Sequence, residues 1–127
     1  MKLGCFTLDS LNAEEHADFY QKLLGWKARF TNSDEGLKWV GIVDETSGIT
    51  LLFQENSDYL PPVWPTTLGQ QQTMAHLDFH SDNLERDVEH AIDCGAILAD
   101  TQYSDKWKVL IDPAGHPFCI EKLVLPD

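Results

Sequence analysis

Basic residues are scarce in this chain of 127: nine lysines and arginines stand against 21 aspartates and glutamates, a formal net charge of −12. The nine are scattered singly, so no patch can neutralise a phosphate backbone or an anionic lipid surface. Nucleic acids and membranes are therefore excluded as partners. Cysteine is scarce too. Cys5, Cys94 and Cys119 are too few and too far apart to frame a disulfide scaffold. Their odd count fits a reducing compartment, and a cytoplasmic location is expected. No apolar run nears the ~20 residues that cross a bilayer. The opening MKLGCFTLDS lacks the apolar core and cleavage site of a signal peptide, and none is expected.

Apolar residues make up 43% of the chain, enough for a core. A chain of this length is expected to fold as one domain that buries roughly two-thirds of its unfolded surface. Its internal order is repetitive. KLGCFTLDS at 2–10 and MAHLDFHS at 74–81 both alternate as strands do, and each runs into a helical stretch. Ala13, Ala17, Tyr20 and Leu24, widened by Phe19 and Leu23, form the apolar stripe of the first helix; Leu84, Val88, Ala91 and Ile92 form that of the second. Asn12 and Asn83 are the expected N-caps, and Gly25 and Gly95 the stops. An offset of 71 residues pairs Ser10 with Ser81, Asn12 with Asn83 and Glu14 with Glu85. The glycines match at 70.

Three strand-like stretches follow each glycine, at about 26–31, 37–44 and 49–54, and then at 96–101, 106–112 and 117–124. Both closing hairpins turn at a glycine, Gly48 and Gly115. In DPAG, Pro113 pre-sets the second turn position and Gly115 fits the fourth. Module one thus covers about 1–54 and module two about 73–127. Between them the linker ENSDYLPPVWPTTLGQQQ, 55–72, carries Tyr59 and Trp64, which either close the mouth of a site or cap a sheet edge.

Strand parity sorts the side chains. Phe6 and Leu8, like Leu77 and Phe79, should lie under their helices. The opposite face collects Cys5, Thr7, Gln54, His76, Asp78, Cys119 and Glu121, a polar set suited to a small-molecule site. His76 is the leading functional candidate. Its alternative is a half-buried strand histidine bonded to Asp78 or the backbone. Asp78 and Glu121 are candidate proton carriers. His80 is a surface residue by default, His116 belongs to the turn, and His16 and His90 are expected to face solvent. Cys5 and Cys119 pack as small apolar groups unless a partner activates them.

FYQKLLGW, MAHLDFHSDNLERDVEHAIDCGA and VLIDPAGHPFCIEK, in this module order, resemble the vicinal oxygen chelate superfamily of glyoxalase I, bleomycin-resistance proteins and extradiol dioxygenases. The pattern is most similar to a glyoxalase-like subgroup without an assigned activity. The resemblance implies an α+β fold of two tandem βαβββ modules, a mixed sheet curled into a cup with helices outside, and a homodimer. It implies one divalent metal (Zn, Ni, Fe or Mn) where the ligands are intact. Carried over, the family's ligand positions fall on Cys5, Leu52, His76 and Cys119, of which only His76 is a usual ligand type and leucine cannot coordinate. Gln54, His76 and Glu121 form a substitute metal set if the strand register shifts.

Two functions follow. One is a metal-dependent lyase, isomerase or dioxygenase-type enzyme acting on a small oxygenated molecule, with Glu121 or Asp78 moving the proton. The other is a metal-free protein that sequesters a small ligand, as bleomycin-resistance proteins do. The ligand-binding residues would be Cys5, Thr7, Gln54, His76, Cys119 and Trp64.

Overall fold

The computed structural model describes residues 1–123. It divides into two compact units, residues 1–60 and the described residues from 61 on, each built of one helix and one open four-stranded mixed sheet. The fold is α+β with two tandem βαβββ modules.

The first unit runs β1 (Phe6–Ser10), α1 (Ala13–Leu24), β2 (Ala28–Asp34), β3 (Leu37–Val43) and β4 (Thr50–Glu55), with sheet order β1-β4-β3-β2. β1 runs parallel to β4, and the other neighbours are antiparallel. Asn12 caps α1 by accepting from the Glu15 N–H at 3.0 Å, and Gly25 ends it in the left-handed conformation. Glu55 of β4 accepts a further free N–H, that of Ala13, at 3.2 Å. The helix buries Ala13, His16, Ala17, Phe19 and Tyr20 against the sheet. Tyr20 stacks on Phe53 with ring centres 5.5 Å apart.

His16 corrects the expectation of a solvent-facing residue: it is only 1% exposed, its ring 4.7 Å from that of Phe53. It sits beside Ala13, Ala17 and Tyr20 on one helix face, and geometry overrode its polar type. Phe6 departs in the other direction. It lies on an edge strand and is half exposed.

The second unit runs β5 (Leu77–Ser81), α2 (Leu84–Cys94), β6 (Ile97–Leu98), β7 (Trp107–Ile111) and β8 (Pro117–Lys122), in the order β5-β8-β7-β6. Asn83 caps α2 by accepting from the Arg86 N–H at 3.1 Å. Ser81 donates to the Asp87 carboxylate and accepts from the Asn83 N–H, fixing the strand-to-helix corner. The DPAG turn closes as expected, with Gly115 N–H donating to Asp112 O at 2.9 Å. The buried Asp112 carboxylate accepts from the N–H groups of Ala114 and His116, so the backbone of His116 does belong to the turn. Of the strand expected over 117–124, the last residue, Val124, lies outside the described residues.

The strand expected over 96–101 shrinks to Ile97–Leu98 for a local reason. The Gln102 amide donates to Ala99 O and Val109 O and accepts from Val109 N–H, each at 2.8 Å. A side chain there occupies the hydrogen-bonding groups that a longer ladder would need.

Candidate functional site

Pleating gives each sheet a helix-packed face and an opposite face. In the first sheet the opposite face carries Thr7, Asp9, Trp39, Leu52 and Gln54, in register across β1, β4 and β3. Gln54 accepts from the Trp39 indole N–H at 3.1 Å, and Asp9 from the Asn56 amide at 3.3 Å. Cys5 is exposed, its Sγ 3.9 Å from Thr7 Oγ1. Phe30 lies on the same face across from Gly41. A Cβ on Gly41 would fall 2.1 Å from the Phe30 ring, so the glycine exists to let that ring lie flat on the strand.

The opposite face of the second sheet is more reactive in character. The parallel register of β5 and β8 sets Asp78 beside Cys119 and His80 beside Glu121. His76, just ahead of β5, places Nε2 3.2 Å from Asp78 Oδ1, and the two side chains are 47% and 51% exposed. Cys119 is half-buried, with its sulfur within 4.8 Å of the Asp78 carboxylate. Burial first, then the negative charge and hydrogen bond of Asp78 and the charge of Glu121, push the Cys119 thiol up to about 11. At neutral pH it is a thiol, a hydrogen-bond donor rather than a nucleophile.

Among the described residues, one group could hold a metal ion: His76, Asp78 and Cys119, whose donor atoms all lie within 4.8 Å of one another. Glu121 is instead paired with His80, at 3.7 Å. Asp78 thus joins His76 and Cys119, a combination that the family's ligand positions did not point to. Parity in HLDF and FCIE puts Asp78 and Cys119 on one face, and the register of the two strands makes them direct neighbours.

Trp64 lies beside this sheet. Its ring is 6.0 Å from Tyr103, which is 6.3 Å from Trp107 on β7, so three aromatic rings follow one another. Trp107 pairs with Glu121 across the ladder, bringing the aromatic row alongside the carboxylates. Pro61 presses on the DPAG turn, where any Cβ on Gly115 would fall 2.6 Å from the Pro61 Cβ.

Two βαβββ modules in tandem are the fold of the vicinal oxygen chelate superfamily. The family model for the glyoxalase-like domain matches residues 5–121, and the chain belongs to that family. Its fold is shared by a glyoxalase family protein from Enterococcus faecalis, at 16% identity and a TM-score of 0.70, over 94% of this chain and 96% of that one. The fosfomycin resistance protein FosX from Listeria monocytogenes, complexed with Mn(II) and 1S,2S-dihydroxypropylphosphonic acid, gives 13% and 0.72, over 98% and 94%. TnmS3, an antibiotic binding protein from Streptomyces sp. CB03234, gives 12% and 0.65, over 98% and 97%. No curated protein matches the chain.

One imidazole, one carboxylate and one thiol make a borderline-soft donor set, which suits zinc far better than manganese or magnesium. A four-coordinate ion with bonds of about 2.0–2.3 Å needs its donors somewhat closer than the outermost pair here. Small side-chain rotations of the exposed His76 and Asp78 would supply the difference. The residues therefore fit such an ion in type and in placement.

Proposed function

We propose that this chain binds a small oxygenated molecule on the polar face of its second sheet. The observation that carries the reading is the trio His76, Asp78 and Cys119. It offers an imidazole, a carboxylate acceptor and a thiol donor, half open to solvent and flanked by the aromatic row ending at Trp107. A hydroxyl or carbonyl oxygen can accept from the imidazole or thiol, and a hydroxyl can donate to Asp78. The Trp64–Tyr103–Trp107 row offers flat apolar contact to the rest of the ligand. Glu121 and Asp78 are the carboxylates that would move a proton, should the bound molecule react. Cys5, Thr7 and Gln54 are the ligand-facing candidates of the first unit, and the working assembly is a homodimer.

The test is a thermal-shift panel of hydroxy-, keto- and phosphono-acids, followed by calorimetry on the best compound. Binding weakened at least tenfold in His76→Ala and Asp78→Asn would support the site. Hits unaffected by both substitutions would place binding elsewhere.

The same trio favours a second reading, a metal-dependent enzyme. A zinc-type ion held by His76, Asp78 and Cys119 would act as a Lewis acid toward vicinal oxygens. Because the thiol must lose its proton to coordinate, affinity should rise steeply with pH. Stoichiometric zinc in protein purified without chelator or His-tag, lost in His76→Ala, would support this reading. No affinity on titration would contradict it.

A further inference from the structure

The two modules differ on their helix-packed faces. With the offset of 71 residues, the aromatic side of α1 (His16, Phe19, Tyr20) becomes Asp87, His90 and Ala91 in α2. Strand register aligns Val40, fully buried in the first sheet, with Lys108 in the second, and Phe53 with Ile120. The rings that α1 contributes to the first seam have no buried counterpart on α2; in the second module the strands supply the rings instead, Phe79 and Phe118 with centres 5.9 Å apart. Only Ala91 of α2 is fully buried, while Ile92 and Leu98 remain 44% and 41% exposed. What remains is a half-open groove of about 460 Å³ between α2 and the β6–β7 edge. Leu84, Val88, Ile92 and Leu98 line it, and Glu85, Glu89, Asp105 and Lys108 edge it.

Its charge is lopsided. Lys108 is held by Asp105 at 3.8 Å and donates to Ser104 O at 3.1 Å. Glu85 and Glu89, one helical turn apart on the groove wall, meet no lysine or arginine among the described residues. In the first module the matching Glu14 is paired with Lys38 at 2.8 Å. Two uncompensated carboxylates over an apolar floor, on a chain of net charge −12, favour a cation with an apolar body. The volume is that of a small-molecule site.

We propose that the α2–β6/β7 groove is a second ligand site, separate from the polar sheet face, that takes a hydrophobic organic cation. The apolar body would cover Leu84, Val88, Ile92 and Leu98, and the ammonium would sit between Glu85 and Glu89.

The experiment compares three probes of matched shape on the full chain, by amide chemical shifts: 4-phenylbutylammonium, 4-phenylbutanol and 4-phenylbutyrate. The ammonium should produce saturable shifts at Leu84, Val88, Ile92 and Leu98 and bind at least tenfold tighter than the carboxylate. The double substitution Glu85→Gln, Glu89→Gln should weaken the ammonium roughly tenfold, the combined loss of two exposed charge contacts, and leave the alcohol unchanged. Val88→Trp should block both, and Leu98→Trp serves the same purpose should the first variant fail to fold. Absence of saturable shifts, equal binding of ammonium and carboxylate, or shifts centred on His76 and Cys119 would each overturn the proposal. A dimer seen by sedimentation and abolished by Ile92→Glu would also overturn it, assigning the groove to a second copy.

Discussion

Cys119 shows how neighbours decide what a residue can do. A cysteine beside a histidine invites a nucleophile reading, yet the nearest charged groups on its face are the carboxylates of Asp78 and Glu121. Burial and those charges raise the thiol from its ordinary 9.0 to about 11. Iodoacetamide should therefore alkylate Cys119 slowly at pH 7.5 in a Cys5→Ser, Cys94→Ser background. Asp78→Asn should speed the reaction by removing the negative charge that disfavours the thiolate. A rate unchanged by that substitution would contradict the assigned cause. The raised value also has a sign in stability. The folded state holds the proton more tightly than the unfolded chain, so the contribution is complete below pH 9 and is lost as pH rises toward 11. Urea melts at pH 8 and pH 10.5 should show a larger loss for the parent than for Cys119→Ser.

The two helices bring the comparison to the element scale. Both start at an asparagine cap, and Asn12→Ala and Asn83→Ala should each cost about 1 kcal/mol in urea denaturation. Their buried faces differ. Tyr20 is fully buried against Phe53, so Tyr20→Ala should cost about 3–5 kcal/mol, whereas truncating the half-exposed Ile92 of α2 to Ala should cost less than about 2 kcal/mol. Equal losses at the two positions would contradict the account of a filled first seam and an open second one. Gly115 has φ +94 and touches Pro61, and Gly115→Ala should destabilise by about 1–3 kcal/mol through backbone strain and contact together.

Much of this scale was legible in the sequence. Both helices, their caps and stops, and the DPAG turn follow from local chemistry that packing did not override. Strand ends were less legible, because a strand exists only where a partner bonds it. β1 starts at Phe6, whose partner is Leu51 at the start of the β1–β4 ladder, and not at residue 2. β6 stops short because Gln102 takes the ladder's hydrogen-bonding groups, a choice that no periodicity reveals. His16 is buried because its helical position, shared with Ala13, Ala17 and Tyr20, outweighs its polar type. The grouping of Asp78 with Cys119 needed the parallel register of β5 and β8, which parity alone leaves undetermined.

For the whole molecule, membership of the glyoxalase-like family fixes the architecture, and this chain's own side chains must supply the chemistry. Its own features on the second sheet are specific: Cys119 stands on β8, and the strand register brings Asp78 beside it. The net charge of −12 acts on the chain as a whole. Self-repulsion should make the protein more stable in 0.2 M NaCl than in 0.01 M, a rise in melting temperature of a few degrees at most, on the order of 1 kcal/mol. The central claim is that the polar face of the second sheet is where a small oxygenated molecule binds. Its most direct test is an amide chemical-shift titration of the full chain with the best compound from the hydroxy-, keto- and phosphono-acid panel. The account predicts saturable shifts at Asp78, His80, Cys119 and Glu121 that vanish in His76→Ala. Saturable shifts that avoid β5 and β8, or that persist unchanged in His76→Ala, would contradict it.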